Sequence, residues 1–201
     1  NFFRGFNKIE KTQSKIATKQ VNPMTFDEEK RFKEYLINNS HPFRNLVLIE
    51  LYTGMRLGEI IALNISDVDI KSNTIYVSKI LTHDENHKPY IHDSALSRTK
   101  DGARLVQINN IFRNNVIEAI NNAETNIDNK EKLLFCQENG SLILESSVNS
   151  YLKKVAKEVG LSYWKQFSSH RLRHTFATRC IEAGISLPVL QTLMGHHDIQ
   201  T

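Results

Sequence analysis

The chain has 201 residues, 40% hydrophobic and 24% charged, a balance that excludes disordered and collagen-like polymers and suits one folded domain. No apolar run approaches the ~20 residues needed to cross a bilayer, and no signal-peptide pattern opens the sequence. The formal charge of +4 lies entirely in residues 1–20, where Arg4, Lys8, Lys11, Lys15 and Lys19 outnumber the single Glu10; residues 21–201 hold 21 basic and 21 acidic side chains. The five leader cations fall at helical spacing, which in a helix would make one stripe suited to a nucleic-acid backbone. A solvated face or a flexible linker also accounts for them. Cys136 and Cys180 are too far apart in sequence to suggest a disulfide framework, so a reducing cytoplasm is expected. The sequence starts at Asn1 without a methionine, as a piece of a longer protein would.

Val21-Asn22-Pro23 marks a boundary, because proline disfavours helix in the residue before it. Thr25-Phe26-Asp27-Glu28 reads as a capping box opening a helix to about Asn39, broken by His41-Pro42. Phe43 to Tyr52 forms a strongly apolar helix with Gly54 as its stop, and Leu57 to Leu63 a short further helix. The β-branched runs Thr74–Val77 and Arg104–Ile108 read as strands. Between them lies a polar stretch with His83, His87 and His92 and another strand candidate near Tyr90, which together suggest one small antiparallel sheet with a long connection. Residues 111–123 return to helix. Val148, Leu152, Val155, Ala156 and Val159 mark one face of the next helix, which ends at Gly160. His170–Ala183 and Ser186–Met194 complete the helices, each followed by glycine. The fold class expected is α+β, mainly helical, with a small antiparallel β-sheet.

Three patches carry more polar function than packing requires. In Thr53-Gly54-Met55-Arg56-Leu57-Gly58-Glu59, an arginine sits between two glycines at a helix junction, a shoulder from which it can be aimed at an anion. A salt bridge to Glu59, three residues on, is the other reading. In His170-Arg171-Leu172-Arg173-His174, a helix places His170, Arg173 and His174 on one face, two imidazoles flanking a guanidinium. Zinc hydrolases with histidines at this spacing carry glutamate after the first; here Arg171 stands there, so a phosphate site is favoured over a metal. In Leu193-Met194-Gly195-His196, the glycine ends a helix and presents His196 at a junction. No carboxylate cluster suited to Mg²⁺ accompanies these cations, which points to phosphodiester cleavage by a protein nucleophile with positive charge stabilising the transition state.

The order of these motifs resembles the tyrosine recombinase (phage integrase) family over roughly residues 22–201. By motif, Arg56 matches the family's first arginine, His170 and Arg173 its His-x-x-Arg pair, and His196 the Gly-His histidine. Lys100, in Arg98-Thr99-Lys100-Asp101-Gly102-Ala103-Arg104, best matches the lysine, with Lys88 and Lys79 as weaker candidates. The resemblance implies a catalytic domain over 22–201, preceded by a basic linker, 1–21, from a core-binding domain. It implies an enzyme that cuts and rejoins double-stranded DNA at specific sites through a 3′-phosphotyrosyl link. Neither metal nor other cofactor is expected. The implied setting is a mobile-element integrase acting on DNA in a bacterial cell, assembled as four protomers. A chromosome-dimer resolvase, or a DNA-binding regulator without the nucleophile, are the alternatives. The family tyrosine follows the Gly-His motif, whereas Tyr35, Tyr52, Tyr76, Tyr90, Tyr151 and Tyr163 all precede His170. This chain by itself is therefore expected to bind DNA without cleaving it.

Overall fold

Thr25 opens the first helix with a reciprocal cap. The Glu28 amide donates to its hydroxyl oxygen at 3.3 Å, and its own amide donates to the Glu28 carboxylate at 2.8 Å. The computed structural model describes residues 22–93 and 103–195. Helix α1 (Phe26–Asn38) buries only Phe32 and Leu36, one narrow stripe. Helix α2 (Arg44–Thr53) buries every residue except Arg44 and Tyr52. A helix apolar on nearly all sides belongs in the centre, and α2 packs against α1, α4 (Arg113–Thr125), α6 (Ser169–Glu182) and the short α3 (Leu57–Ile61). Helix α5 (Glu145–Glu158) lies against α1 and α6.

Three strands form one antiparallel sheet in the order β1 (Val68–Asp69), β2 (Thr74–Val77), β5 (Arg104–Gln107). Its core face is set by the Ile75–Val106 pair, while Tyr76 and Leu105 face solvent. A second, two-stranded sheet is the hairpin β3 (Lys79–His83) and β4 (Pro89–Asp93), with Leu81 opposite Ile91. The single sheet with one long connection is thus corrected to two sheets. The polar stretch is itself a hairpin, and its Lys-Ile-Leu-Thr-His strand lacks the alternation that would have revealed it. β1 has only two residues, too short for any periodicity. The three histidines of this stretch are all exposed.

The main core gathers α1, α2, α4, α5 and the first sheet, with Phe32 stacked on Phe167 at 5.2 Å. Helix α7 (Leu187–Met194) joins through a separate small cluster of Cys180, Leu190 and Met194 against Phe176 and Ile185. Among the described residues, no helix is long and apolar enough to cross a membrane.

One face of α6 is committed to the segment that precedes α1. The Arg171 guanidinium donates to the Asn22 carbonyl and lies 4.1 Å from the Tyr163 ring centroid. Thr175 Oγ1 accepts from the Met24 amide at 3.0 Å, and Arg179 donates to the Met24 carbonyl at 2.6 Å and to Glu29 at 2.7 Å. These positions recur every fourth residue, so they form one stripe. Thr175→Val keeps the shape but leaves the buried Met24 N–H unpaired, and should lower the unfolding free energy by about 1–3 kcal/mol with an unchanged denaturant slope in urea titrations.

Candidate active site

The site begins where α2 stops. Gly54 has φ 63°, and its N–H donates to the Glu50 carbonyl at 2.9 Å. A β-carbon there would overlap Cδ1 of Phe176 on α6, so the position demands glycine for both its backbone and the close approach. The turn leaves Arg56 in extended conformation immediately before α3. Glu59 accepts from the Arg56 amide at 2.8 Å, capping α3, and from Arg56 Nη1 at 3.0 Å. The same carboxylate receives a two-pronged pair from Arg104 at 3.0 and 2.8 Å. Burial alone would raise the Glu59 pKa, but Arg104 and then Arg56 outweigh it and hold the carboxyl below its ordinary range.

Three successive carbonyls at the end of α7 draw three arginines together. Arg104 Nε donates to Leu193 O at 3.1 Å, Arg173 Nη2 to Met194 O at 2.7 Å, and the Arg56 guanidinium to Gly195 O at 3.4 Å. Arg173 also donates to the Gly54 carbonyl, tying α6 to the α2–α3 turn. Gly195, at φ 66°, leaves room for Arg104, whose Nη1 would lie 2.6 Å from any β-carbon there. Arg173 is buried, and desolvation, followed by repulsion from Arg56, lowers its pKa to about 10, still cationic at neutral pH. Nearby Glu50 is wholly buried, and burial raises its carboxyl to about 8, so it is mainly neutral there. Three guanidiniums against the Glu59 carboxylate leave two positive charges in excess. Crowded cations of this kind are relieved by an anion.

Arg56, His170 and Arg173 line a single open cleft of about 550 Å³ together with Glu145, Asn149 and Ser169. Arg56 reaches it with a side chain 40% exposed, even while it is salt-bridged to Glu59 as the second reading of its motif expected. The expected flanking of Arg173 by two imidazoles is corrected. His170 and His174 meet each other edge to face at 4.7 Å on the exposed side, while Arg173 turns inward toward α2 and α7. Burial and then His170, Arg173 and Arg171 hold His174 below the usual imidazole range. Lys79 is committed to Asp67 at 2.7 Å and Asn64 at 2.6 Å, and lines a different groove. Lys88 is exposed next to the hairpin turn. Lys100, His196 and the leader residues Arg4, Lys8, Lys11, Lys15 and Lys19 lie outside the described residues. Among the described residues, no tyrosine lines the cleft. Arg104 and Glu50 are the members that sequence reasoning missed. For Glu50 a signal existed, a glutamate within Leu46-Val47-Leu48-Ile49-Glu50-Leu51; for Arg104, an ordinary strand arginine, there was none.

The phage integrase family pattern matches residues 8–201. The chain belongs to the phage integrase family. A XerC-like tyrosine recombinase of Caldanaerobacter subterraneus is 27% identical over 201 residues, covering 93% of this chain and 50% of the relative. The integrase of Staphylococcus phage L54a is 25% identical over 206 residues, covering 96% and 56%. The chain thus spans about half the length of these family members. Among solved structures, the Tn1549 transposon integrase in complex with transposon right end DNA superposes with a TM-score of 0.77 at 25% identity, over 91% of this chain and 60% of that one. The XerA recombinase shares the fold at a TM-score of 0.69 and 24% identity, over 88% and 57%. The family's mainly helical catalytic fold with small antiparallel sheets is therefore that of this chain.

Gly54→Ala should destabilise the domain by at least ~1–2 kcal/mol, the penalty for a side chain in the left-handed region, with displacement of Phe176 added. Denaturant titration measures it, and an unchanged midpoint would contradict the tight α2–α6 approach.

Proposed function

We propose that the protein is a site-specific DNA recombinase of the integrase or transposase kind, which cuts and rejoins DNA to insert or excise a mobile element. The observation that carries this reading is the convergence of Arg56, Arg173 and His170 on one cleft with excess positive charge. Similarity to a phage integrase and a transposon integrase favours a mobile element over chromosome-dimer resolution.

In this mechanism a tyrosine oxygen attacks the scissile phosphorus, forming the 3′-phosphotyrosyl bond as the bond to the 5′ oxygen breaks. Arg56 and Arg173 hold the non-bridging oxygens of the pentacoordinate transition state. Lys100 gives its proton to the departing 5′ oxygen, and His170 and His196 assist proton transfer and charge stabilisation. The bond energy stays in the covalent link, so a 5′ hydroxyl can reverse the step on a new partner without an external energy source. Residues 22–201 act as the catalytic domain. The leader 1–21 links it to a core-binding domain, and its five cations add sequence-independent phosphate contacts that weaken as salt rises. Four protomers on paired sites complete the active assembly.

The full-length protein, given DNA that spans the joined ends of its element, should form a protein–DNA adduct that survives denaturant. Arg173→Ala should slow adduct formation by roughly 10²–10³-fold, the usual loss on removing one transition-state donor. A normal rate would remove Arg173 from the reaction. Lys100→Ala should be slow on ordinary DNA and largely restored when sulfur replaces the 5′ leaving oxygen, because that group departs without a proton. Lack of rescue in single-turnover assays would move the acid elsewhere.

A further inference from the structure

Beneath the arginine cleft lies a carboxyl group that the strand-transfer chemistry does not use. Glu50 occupies the middle of α2 and is fully buried. Its Oε1 accepts from the Ser169 hydroxyl, while its Oε2 is buried with no hydrogen-bond partner. Ser169 is the first residue of α6, and its amide donates to Asn149 of α5 at 3.0 Å. The turn that carries His170 is thereby pinned between α2 and α5, with Glu50 as one of the two anchors. The charged groups acting on Glu50 are Arg173 from α6, which attracts, and Glu145 from the start of α5, which repels. Arg56 from the α2–α3 turn, Glu59 from α3 and Arg104 from β5 act in turn on Arg173. The neighbours α1 and α4 turn Lys33 and Glu118 to Tyr52 and Arg44 of α2 instead.

We propose that Glu50 is a positioning residue whose proton governs how much of the Arg173 charge is presented to the phosphate. This rests on the reading of the cleft as a phosphodiester site. While the carboxyl is neutral, it braces Ser169 and leaves the Arg173 charge directed at the cleft. Once ionised, its unsatisfied oxygen competes for Arg173 within the same interior and repels the incoming anion. Burial drives the group up to about 8, with Ser169 and Arg173 pulling the other way, so the neutral form prevails at neutral pH. Anion affinity is then highest below that value and falls as pH rises through it, because the bound anion and the Glu50 proton favour each other.

The test uses sulfate, a tetrahedral dianion whose own charge stays constant from weakly acidic to weakly alkaline pH. Binding to this chain is followed through the Nε–Hε NMR signals of Arg56 and Arg173. Wild-type affinity should weaken by roughly tenfold between about pH 6.5 and about pH 9. Glu50→Gln should fall by clearly less over the same range, and because both proteins share every other titrating group, histidines included, the difference between the two profiles reports Glu50 alone. Ser169→Ala, which removes the hydroxyl that favours the carboxylate, should move the break to higher pH. Parallel pH profiles for wild type and Glu50→Gln would overturn the proposal. If that variant does not fold, an unmoved break in Ser169→Ala would overturn it equally. Sulfate that perturbs neither arginine at any pH would reject the anion cleft itself, and the role of Glu50 with it.

Discussion

Packing several guanidiniums side by side in a protein interior is unfavourable unless each finds acceptors and the group finds counter-charge. Glu59 supplies the charge, holding Arg56 and Arg104 at once. The end of α7 supplies the acceptors, offering Leu193, Met194 and Gly195 carbonyls to three different arginines. A helix C-terminus carries partial negative charge, so α7 is electrostatically suited to this work as well as geometrically. The rest of the domain follows from this knot: β5 must deliver Arg104, the α2–α3 turn Arg56, and α6 Arg173. Without α7 all three arginines would lose a backbone acceptor, and without Glu59 both Arg56 and Arg104 would lose their counter-charge.

The same arrangement explains how a chain whose body is formally neutral presents a cationic surface in one place. Acidic side chains balance the basic ones overall, yet around the cleft Arg56, Arg104 and Arg173 outnumber the carboxylates of Glu59 and Glu145, while Glu50, behind them, is mainly protonated at neutral pH. Local placement matters here more than net charge. The cleft is open enough for a backbone phosphate while Arg173, behind it, stays buried and fixed by two carbonyls.

Much of this was legible from residues alone. The capping box at Thr25, the stop at Gly54, the buried face of α5 and the span of α6 are local signals, and local physics decides them. The motifs around Arg56, His170 and Arg173 were readable because unusual polar residues stand out at helix junctions. The hairpin β3–β4 was not, since half-exposed strands with mixed composition carry no clear period. Nor was the inward turn of Arg173, which depends on α2 and α7 lying on that flank of α6. Arg104 illustrates the limit. It is one arginine among many until the fold sets it against Glu59, which stands 45 residues earlier in the chain.

Helix α6 faces two ways. Its Arg171, Thr175 and Arg179 grip the backbone ahead of α1, while His170 and Arg173, on the same rigid rod, reach the cleft. Force applied to the polypeptide at Asn22 therefore has a short load path, through hydrogen bonds and one helix, to the guanidinium at the heart of the site. The rod cannot tilt at one end without shifting its grip at the other, so whatever strains that leading segment is passed on to the cleft.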